Sequence, residues 1–338
     1  MSFRDRFVAL QRLLAEEVAK DPLDEDAATL KLEEAREIIK RRTGTEDLID
    51  ESFLSTLLTL STIDSASSQH RQLLAESAVR AMMNALYENS TAIETFKTLH
   101  GPERVFRLIQ LEVPVRTAYY GVKLLYMLFS SSPQNALHLL ALRSTITEMS
   151  FSEVIVATFT SCLHPAVDTD RRDLFIDCAK LLYAIEHLYQ NTSGTGGEMD
   201  KDLLPKLRSS EKTLLAMQRQ VTSVLVKSTR DKNVYLCQLA CLQLLLLADR
   251  KALQFLCSEG GEAVLEALVG LLRLLLAECL ADPSNNEKHL TTILVLYLHN
   301  TDIHFNAQLT PCFITGGAAP NWQGRPSAAA GDQATYPS

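Results

Sequence analysis

The sequence predicts an all-α protein, an armadillo- or HEAT-like right-handed superhelical solenoid of helical repeats. Strong helix formers, above all Leu, Ala, Glu, Lys and Gln, dominate its 338 residues. Apolar residues recur at helical spacing along almost the whole chain, without a convincing alternation of period two. Helix breaks recur as well: Ser90 and Ser132 lie 42 residues apart, within the ~40–47-residue period of armadillo and HEAT units.

Two apolar stripes show the helical period clearly, one in a helix predicted over 76–87 and one in a helix predicted over 115–129. The stripes consist of Val79, Met82, Met83, Leu86 and Tyr87 in the first helix and of Val122, Leu125, Tyr126 and Phe129 in the second.

Polar segments separate the predicted helices, at residues 21–26, 43–47, 61–69, 130–133 and 164–170. Ser132-Pro133 offers an N-cap followed by proline at the first helical position. His100-Gly101-Pro102 is a helix stop followed by a restart.

Later copies of the repeat are predicted over 174–189, followed by a loop over 191–198, and over 234–248 and 289–299. Their spacing is longer, so insertions are expected, and the repeat domain is expected to cover residues 1–300. Residues 301–338 predict a disordered Ala/Gly/Pro-rich tail, because they cannot bury enough apolar surface to offset the entropy of ordering. An end without a polar capping helix is typical of a truncated or alternatively spliced product.

Composition and charge favour a cytoplasmic, monomeric protein. The net charge of −8 disfavours general nucleic-acid binding, which needs a basic surface to release phosphate counterions. The first 20 residues are charged throughout and lack the apolar core of a signal peptide. The most apolar stretch, residues 263–280, contains three charged side chains, so no membrane span is expected.

The seven cysteines predict buried, reduced thiols, because their number is odd and most lie in apolar runs. Cys237 and Cys241 are spaced like metal ligands on a helix, but no second ligand pair accompanies them at zinc-site spacing. Phosphate-loop, dinucleotide-binding, zinc-protease and hydrolase motifs are absent from the sequence. We therefore predict a protein that is not an enzyme and that holds no cofactor and no metal.

Cations and amides inside otherwise apolar helices are the candidate partner-binding residues. Arg36 and Lys40 are four residues apart and share a helix face, while Asn84, Lys123 and Lys180 each interrupt an apolar run. A structural alternative is that such side chains reach solvent or satisfy a local carbonyl. The recurrence of Lys-Leu-Leu-Tyr at 123–126 and 180–183 favours a shared surface.

Aromatic side chains accompany these residues and suit an apolar partner helix. They are Tyr119, Tyr120, Tyr126 and Tyr183.

At these segments the sequence resembles the Ric-8 (synembryn) family of armadillo-type chaperones and guanine-nucleotide exchange factors for G-protein α subunits. The resemblance is collinear over roughly residues 30–300 and rests on LEEAREIIKRR, ESAVRAMMNALYENSTAIETF, VRTAYYGVKLLYMLFSSSP and CAKLLYAIEHLYQN. The residues that match family positions are Arg36 and Lys40 as the basic pair, Asn84 as the Asn, Tyr119 and Tyr120 as the aromatic pair, and Lys123 as the Arg.

The resemblance implies that the concave face captures the C-terminal helix of Gα. Arg36 and Lys40 would bind its terminal carboxylate, Asn84 would add a hydrogen bond, and the tyrosines would pack on its apolar side. The sequence departs from the family at Gly121, where the family has an Asp, and at Ala184, where it has an Asn. The family's last repeats and acidic C-terminal region, which would contact the nucleotide-binding domain, are unmatched, so the resemblance implies binding more directly than exchange.

Two other functions stay open at this stage. One is a generic armadillo scaffold or adaptor in cytoskeletal or small-GTPase signalling, which would bind a partner without acting on its nucleotide. The other is an enzyme whose site has no recognisable motif, which would need a deep pocket with convergent carboxylates or histidines.

Overall fold

The structure, a computed structural model, describes residues 3–41, 46–63, 67–111, 113–162, 168–194 and 209–227, with isolated residues between 207 and 273. The chain divides into a compact unit over Met1–Leu274 and a second unit over Leu275–Ser338, none of which is among the described residues. The repeat predicted over 234–248 lies largely outside the described residues. The repeat predicted over 289–299 and the tail predicted over 301–338 lie wholly outside them.

Helices make up the described part of the first unit, which contains no β-strand, and the predicted all-α class is confirmed. The helices are α1 (Phe3–Val18), α2 (Glu25–Lys40), a 3-10 turn (Glu46–Leu48), α3 (Glu51–Leu60), α4 (Gln69–Leu86), α5 (Ser90–Thr98), α6 (Gly101–Leu108), α7 (Val115–Ser131), α8 (Pro133–Leu140), α9 (Phe151–Ser161), α10 (Thr169–Gly194) and α11 (Glu211–Leu225).

Local signals end and restart these helices where the sequence predicts. The Ser132 hydroxyl accepts a hydrogen bond from the Asn135 backbone, and Pro133 occupies the first turn of α8. His100 has a φ of 54°, in the left-handed region, and α6 begins at the next residue. At α9, Ser150 and Glu153 form a reciprocal capping box, which satisfies two helix-end donors.

Two predicted boundaries need correction. The loop predicted over 191–198 starts later, because α10 continues to Gly194. Tyr87 does not belong to the buried stripe of α4, since it forms the C-cap of that helix and is 52% exposed. The helical period places Tyr87 on the stripe, but the helix ends one residue before it.

Helices α2, α4, α7 and α10 pack side by side in that order. We call these four helices the parallel row. On the other side of the unit, α1 packs on α3 and α3 on α5, while α9 packs on α11. Each helix thus contacts mainly its neighbours, as expected for helical repeats. The right-handed superhelix stays a prediction.

Contacts between equivalent positions show that neighbouring helices of the row run parallel. The Ser68 hydroxyl donates a hydrogen bond to the Glu25 carboxylate, 43 residues away. The Ser77 hydroxyl donates one to the Glu33 carboxylate, 44 residues away. From α4 to α7 the register is 40 residues, since Glu76 pairs with Arg116. Between α7 and α10 the nearby charges are farther apart in sequence: Asp170 acts electrostatically on Arg116 and Asp177 on Lys123, in each case across 54 residues. The longer last step agrees with the insertions expected after the second repeat.

Apolar contacts between the layers hold the unit together. Phe7 meets Phe53 edge-on across α1 and α3 at 5.3 Å between ring centroids, and Phe159 stacks on Phe175 across α9 and α10 at 4.3 Å. Phe7, Phe159 and Phe175 have no exposed surface, and burying such a side chain stabilises the fold by roughly 1.5–3 kcal/mol.

The cysteines that the structure describes are buried free thiols, as predicted: Cys162, Cys178, Cys237 and Cys241. Burial raises the pKa of Cys237 to about 12, so this thiol is protonated and unreactive at neutral pH. The other three, Cys257, Cys279 and Cys312, lie outside the described residues.

Gly121 fixes how closely α7 approaches the end of α6. A Cβ at this position would lie 2.6 Å from the Cγ2 methyl of Ile109, which is itself buried. Interiors packed this tightly do not absorb an extra methyl without side-chain or backbone shifts.

We expect Gly121→Ala to destabilise the protein by about 1–2 kcal/mol, because overpacking outweighs the gain in helix propensity. Urea unfolding followed by circular dichroism measures the change. Ile109→Leu removes the Cγ2 methyl at similar volume, so the double variant should recover most of the loss. Additive losses in the double variant would contradict the close approach.

Candidate protein-binding site on the parallel row

The structure places all nine predicted site residues on the parallel row. The α2 helix carries Arg36 and Lys40, and α4 carries Asn84. The other six lie on the two following helices, namely Tyr119, Tyr120, Lys123 and Tyr126 on α7 and Lys180 and Tyr183 on α10.

Arg36 and Lys40 share a helix face, as their spacing predicts, but their surroundings differ. Lys40 is 67% exposed, and its nearest carboxylate, that of Glu37, lies 3.9 Å away. Arg36 is only 16% exposed, and its guanidinium lies 2.5 Å from the carboxylate of Glu33. Lys40 is therefore ready to meet an incoming anion, whereas Arg36 must first exchange an existing partner.

Asn84 lies next to Lys40 in the register of the row, because the two residues are 44 positions apart, like Glu33 and Ser77. Its side chain is half-buried and makes no hydrogen bond to the residues that the structure describes. An amide offers two donors and an acceptor. The hydrogen-bonding capacity of Asn84 is thus unfilled beside an exposed cation.

The paired tyrosines of α7 are partly covered by cations. The rings of Tyr119 and Tyr120 lie 4.8 Å apart. Lys123 donates a hydrogen bond of 3.1 Å to the Tyr119 hydroxyl, and Arg80 lies 5.1 Å above the Tyr120 ring. Cation–π contact holds the rings in place. The surface they present is mixed, aromatic and cationic, rather than purely apolar.

The two Lys-Leu-Leu-Tyr segments place their lysines in matching environments. Lys123 and Lys180 are both half-buried, and the leucines that follow each of them are buried. Burial lowers the pKa of Lys123. The hydrogen bond to the Tyr119 oxygen and the charge of Asp177 raise that pKa by more than burial lowers it, so it lies above the ordinary value. Lys123 is therefore cationic at neutral pH. Lys180 donates to the Asp177 carboxylate at 2.8 Å.

Tyr183 needs a correction. It is only 3% exposed and stacks on His187 inside the unit, so it belongs to the core rather than to a binding surface. Tyr126, at the matching position of the other segment, is half-buried, and burial raises the pKa of its hydroxyl.

Sequence reasoning missed a chain of alternating charges that crosses three helices of the row. We call it the charge ladder, and it consists of Arg36, Glu33, Arg80, Glu76 and Arg116. The distances along it are 2.5 Å between Arg36 and Glu33, 3.8 Å from Glu33 to Arg80, 3.7 Å from Arg80 to Glu76 and 3.1 Å from Glu76 to Arg116. The sequence does contain a sign of this ladder, because its oppositely charged residues recur 40 to 47 positions apart, close to the repeat period.

Glu76 is the buried member of the charge ladder. Burial raises the pKa of its carboxyl group, and the charges of Arg116 and Arg80 offset only part of that rise. The nearby Tyr120 hydroxyl and the charge of Glu76 in turn raise the pKa of the Arg116 guanidinium. The ladder is thus coupled to the tyrosine pair.

The described residues offer neither a cluster of metal ligands nor a helix that could span a membrane. They contain no group of three or more His, Cys, Asp or Glu side chains arranged to hold a metal ion. Among the helices in the same part of the chain, none is long and apolar enough to cross a membrane.

Comparisons with known proteins add little to this picture. No protein-family model matches the chain, and no curated protein matches it. Among solved structures, the chain is similar to an engineered protein whose crystal structure was determined by a structural genomics consortium. The alignment covers 75% of this chain and 98% of that chain, with 14% identity and a TM-score of 0.33. That likeness is too slight to bear on fold or function.

The raised pKa of Glu76 predicts a pH-dependent stability. A carboxyl group whose pKa is higher in the folded than in the unfolded chain stabilises the fold below the unfolded pKa, and that contribution is lost as the pH rises through the folded pKa. Glu76→Gln should therefore be more stable than the parent protein at pH 7, and the difference should shrink as the pH falls toward 4.5.

Chemical unfolding of both proteins between pH 4 and pH 8 tests this expectation. Glu94→Gln is the matched control, because Glu94 is exposed on α5, away from the row. A Glu76→Gln variant that is less stable at pH 7 would show that the ion pairs of Glu76 outweigh its desolvation.

Proposed function

We propose that this protein binds heterotrimeric G-protein α subunits by capturing their C-terminal helix on the parallel row, and that it acts as a chaperone and exchange factor. One observation carries the proposal. Lys40 and Asn84 occupy equivalent positions on neighbouring helices, 44 residues apart like Glu33 and Ser77; Lys40 is exposed, and Asn84 makes no hydrogen bond to the described residues. Together they suit a carboxylate. The resemblance to the Ric-8 family implies that this carboxylate is the C-terminus of Gα.

The chemistry of capture is electrostatic and not covalent. The terminal carboxylate of the helix accepts charge-assisted hydrogen bonds from the Lys40 ammonium and a further bond from the Asn84 amide. Arg36 joins only if its pair with Glu33 loosens, so Lys40 supplies most of the initial attraction. Tyr119 and Tyr120 offer ring edges to the apolar side of the helix.

The consequence for the partner follows from linkage. A protein that binds one conformation of Gα in preference to another shifts the population toward that conformation. Holding the C-terminal helix away from the body of Gα favours the nucleotide-free state, and by reciprocity GDP weakens the complex. The same preference makes the protein a chaperone, because it stabilises a Gα that has not yet bound nucleotide.

A binding assay with two forms of Gα tests the proposal against the scaffold alternative. Full-length Gα should bind the complete chain, most tightly without nucleotide, and Gα that lacks its last residues should not. Release of a fluorescent GDP analogue from the full-length form measures exchange separately. Binding that is indifferent to the truncation would overturn the proposal and favour a generic scaffold.

A charge reversal at Lys40 tests the site itself. Lys40→Glu should weaken binding of full-length Gα about tenfold or more, because it replaces a charge-assisted bond by repulsion. Lys212→Glu is the matched control, since Lys212 is exposed on α11, outside the row. Equal affinities for the two variants would move the site elsewhere, and the helical circular dichroism of both should be unchanged.

A further inference from the structure

Arg80 is the member of the charge ladder whose partners are held more closely by other cations. Glu33 lies 2.5 Å from Arg36 and 3.8 Å from Arg80. Glu76 lies 3.1 Å from Arg116 and 3.7 Å from Arg80. Both carboxylates are beyond hydrogen-bonding distance of Arg80, although their charges keep it in place.

The donors of Arg80 are consequently unfilled. Its side chain makes no hydrogen bond to the residues that the structure describes, and it keeps 23% of its surface exposed. A guanidinium carries five N–H donors in a planar fork that matches a carboxylate. Arg80 can therefore accept a carboxylate from outside without giving up a hydrogen bond of its own.

The position of Arg80 is fixed in advance of any ligand. The Tyr120 ring lies 5.1 Å from its guanidinium carbon, and the Tyr120 ring in turn packs against the Tyr119 ring at 4.8 Å. Preorganisation of this kind reduces the entropy lost when a ligand binds. A cation that is in place and only loosely paired is well suited to recognition.

Register relates Arg80 to the proposed carboxylate site. Arg80 precedes Asn84 by one turn on α4, just as Arg36 precedes Lys40 on α2. Four helical residues rise about 6 Å. A second anion bound at Arg80 therefore lies about 6 Å from one bound between Lys40 and Asn84. On a helical ligand that distance separates side chains three or four residues apart.

We propose that Arg80 is a specificity-determining residue of this site: it binds an acidic side chain of the captured helix, three or four residues before the terminal carboxylate. This inference rests on the proposed function and adds to it a rule for choosing partners. Segments with Asp or Glu at that position bind tightly, and segments with a neutral residue there bind weakly. Glu33 and Glu76 set the strength of the preference, because their carboxylates compete with the ligand for Arg80.

A double-mutant cycle with a synthetic peptide tests the rule on the complete chain. The probe is a fluorescent peptide of the last residues of Gα, with a free terminal carboxylate and an acidic residue three or four positions before its end. A second peptide carries the corresponding amide there. Arg80→Gln and the amide peptide should each reduce affinity about tenfold, and the two changes together should reduce it no further.

A variant at Glu76 separates recognition from a structural role. Glu76→Gln removes one of the two internal competitors of Arg80 and leaves the other, Glu33, paired with Arg36. The neutral glutamine side chain also suits a buried position. This variant should bind the acidic peptide about threefold more tightly and leave the affinity for the amide peptide unchanged. If Arg80 only supported the fold, both variants would change both affinities alike, and this inference would be overturned.

The outcomes of these binding experiments also distinguish the role of Arg80 from the proposed binding of Gα. Binding that needs the terminal carboxylate, but shows independent, additive losses for Arg80→Gln and the amide peptide, overturns the inference and leaves the proposed function standing. Failure of the parent protein to bind either peptide, or Gα itself, overturns both. Thermal unfolding of each variant shows that the fold is retained while affinities are compared.

Discussion

The side-by-side packing of α2, α4, α7 and α10 is the constraint on which the rest of the site depends. Each helix buries one apolar face against its neighbours, and a helix cannot slide along its neighbour without exposing that face. The register between helices is therefore fixed at one repeat, or one repeat with an insertion. Charged residues at equivalent positions are brought into rows for this reason and not because of their own attraction.

Partial burial strengthens the interactions among the charged residues of these rows. Half-buried charges interact more strongly than exposed ones, since less water screens them. The charge ladder consequently pairs each carboxylate closely with one arginine and leaves Arg80 in between. The cost of burying Glu76 appears as its raised pKa, so the ladder stabilises the fold less than its contacts suggest. Its arrangement is better suited to exchanging partners than to holding the helices together.

In the complex that we propose, a partner that presents carboxylates meets a surface that already carries the carboxylates of Glu33 and Glu76. The chain as a whole has a net charge of −8, so long-range attraction does not steer an acidic segment toward it. Recognition depends instead on short-range geometry, in which an incoming carboxylate fills donors that the internal ones leave unused. Such a site discriminates among related segments by a few positions rather than by total charge.

The sequence by itself determined the local structure, because helix periodicity, caps and breaks depend on residues within a few positions of one another. Ser132 and Pro133 start α8 as predicted, and the thiols of Cys162 and Cys178 are buried within apolar runs. The sequence also indicated which helices carry isolated cations. What it left undetermined is how much of each helix its neighbours cover.

Only the tertiary structure decided which of those residues face outward and which are already paired. Tyr183 lies in the core and Arg36 is bound to Glu33, whereas Lys40 is exposed. The pairing of Glu76 with Arg116 joins residues 40 positions apart. Such a pair depends on the lengths of the intervening loops and on the packing of whole helix faces, which no local pattern encodes.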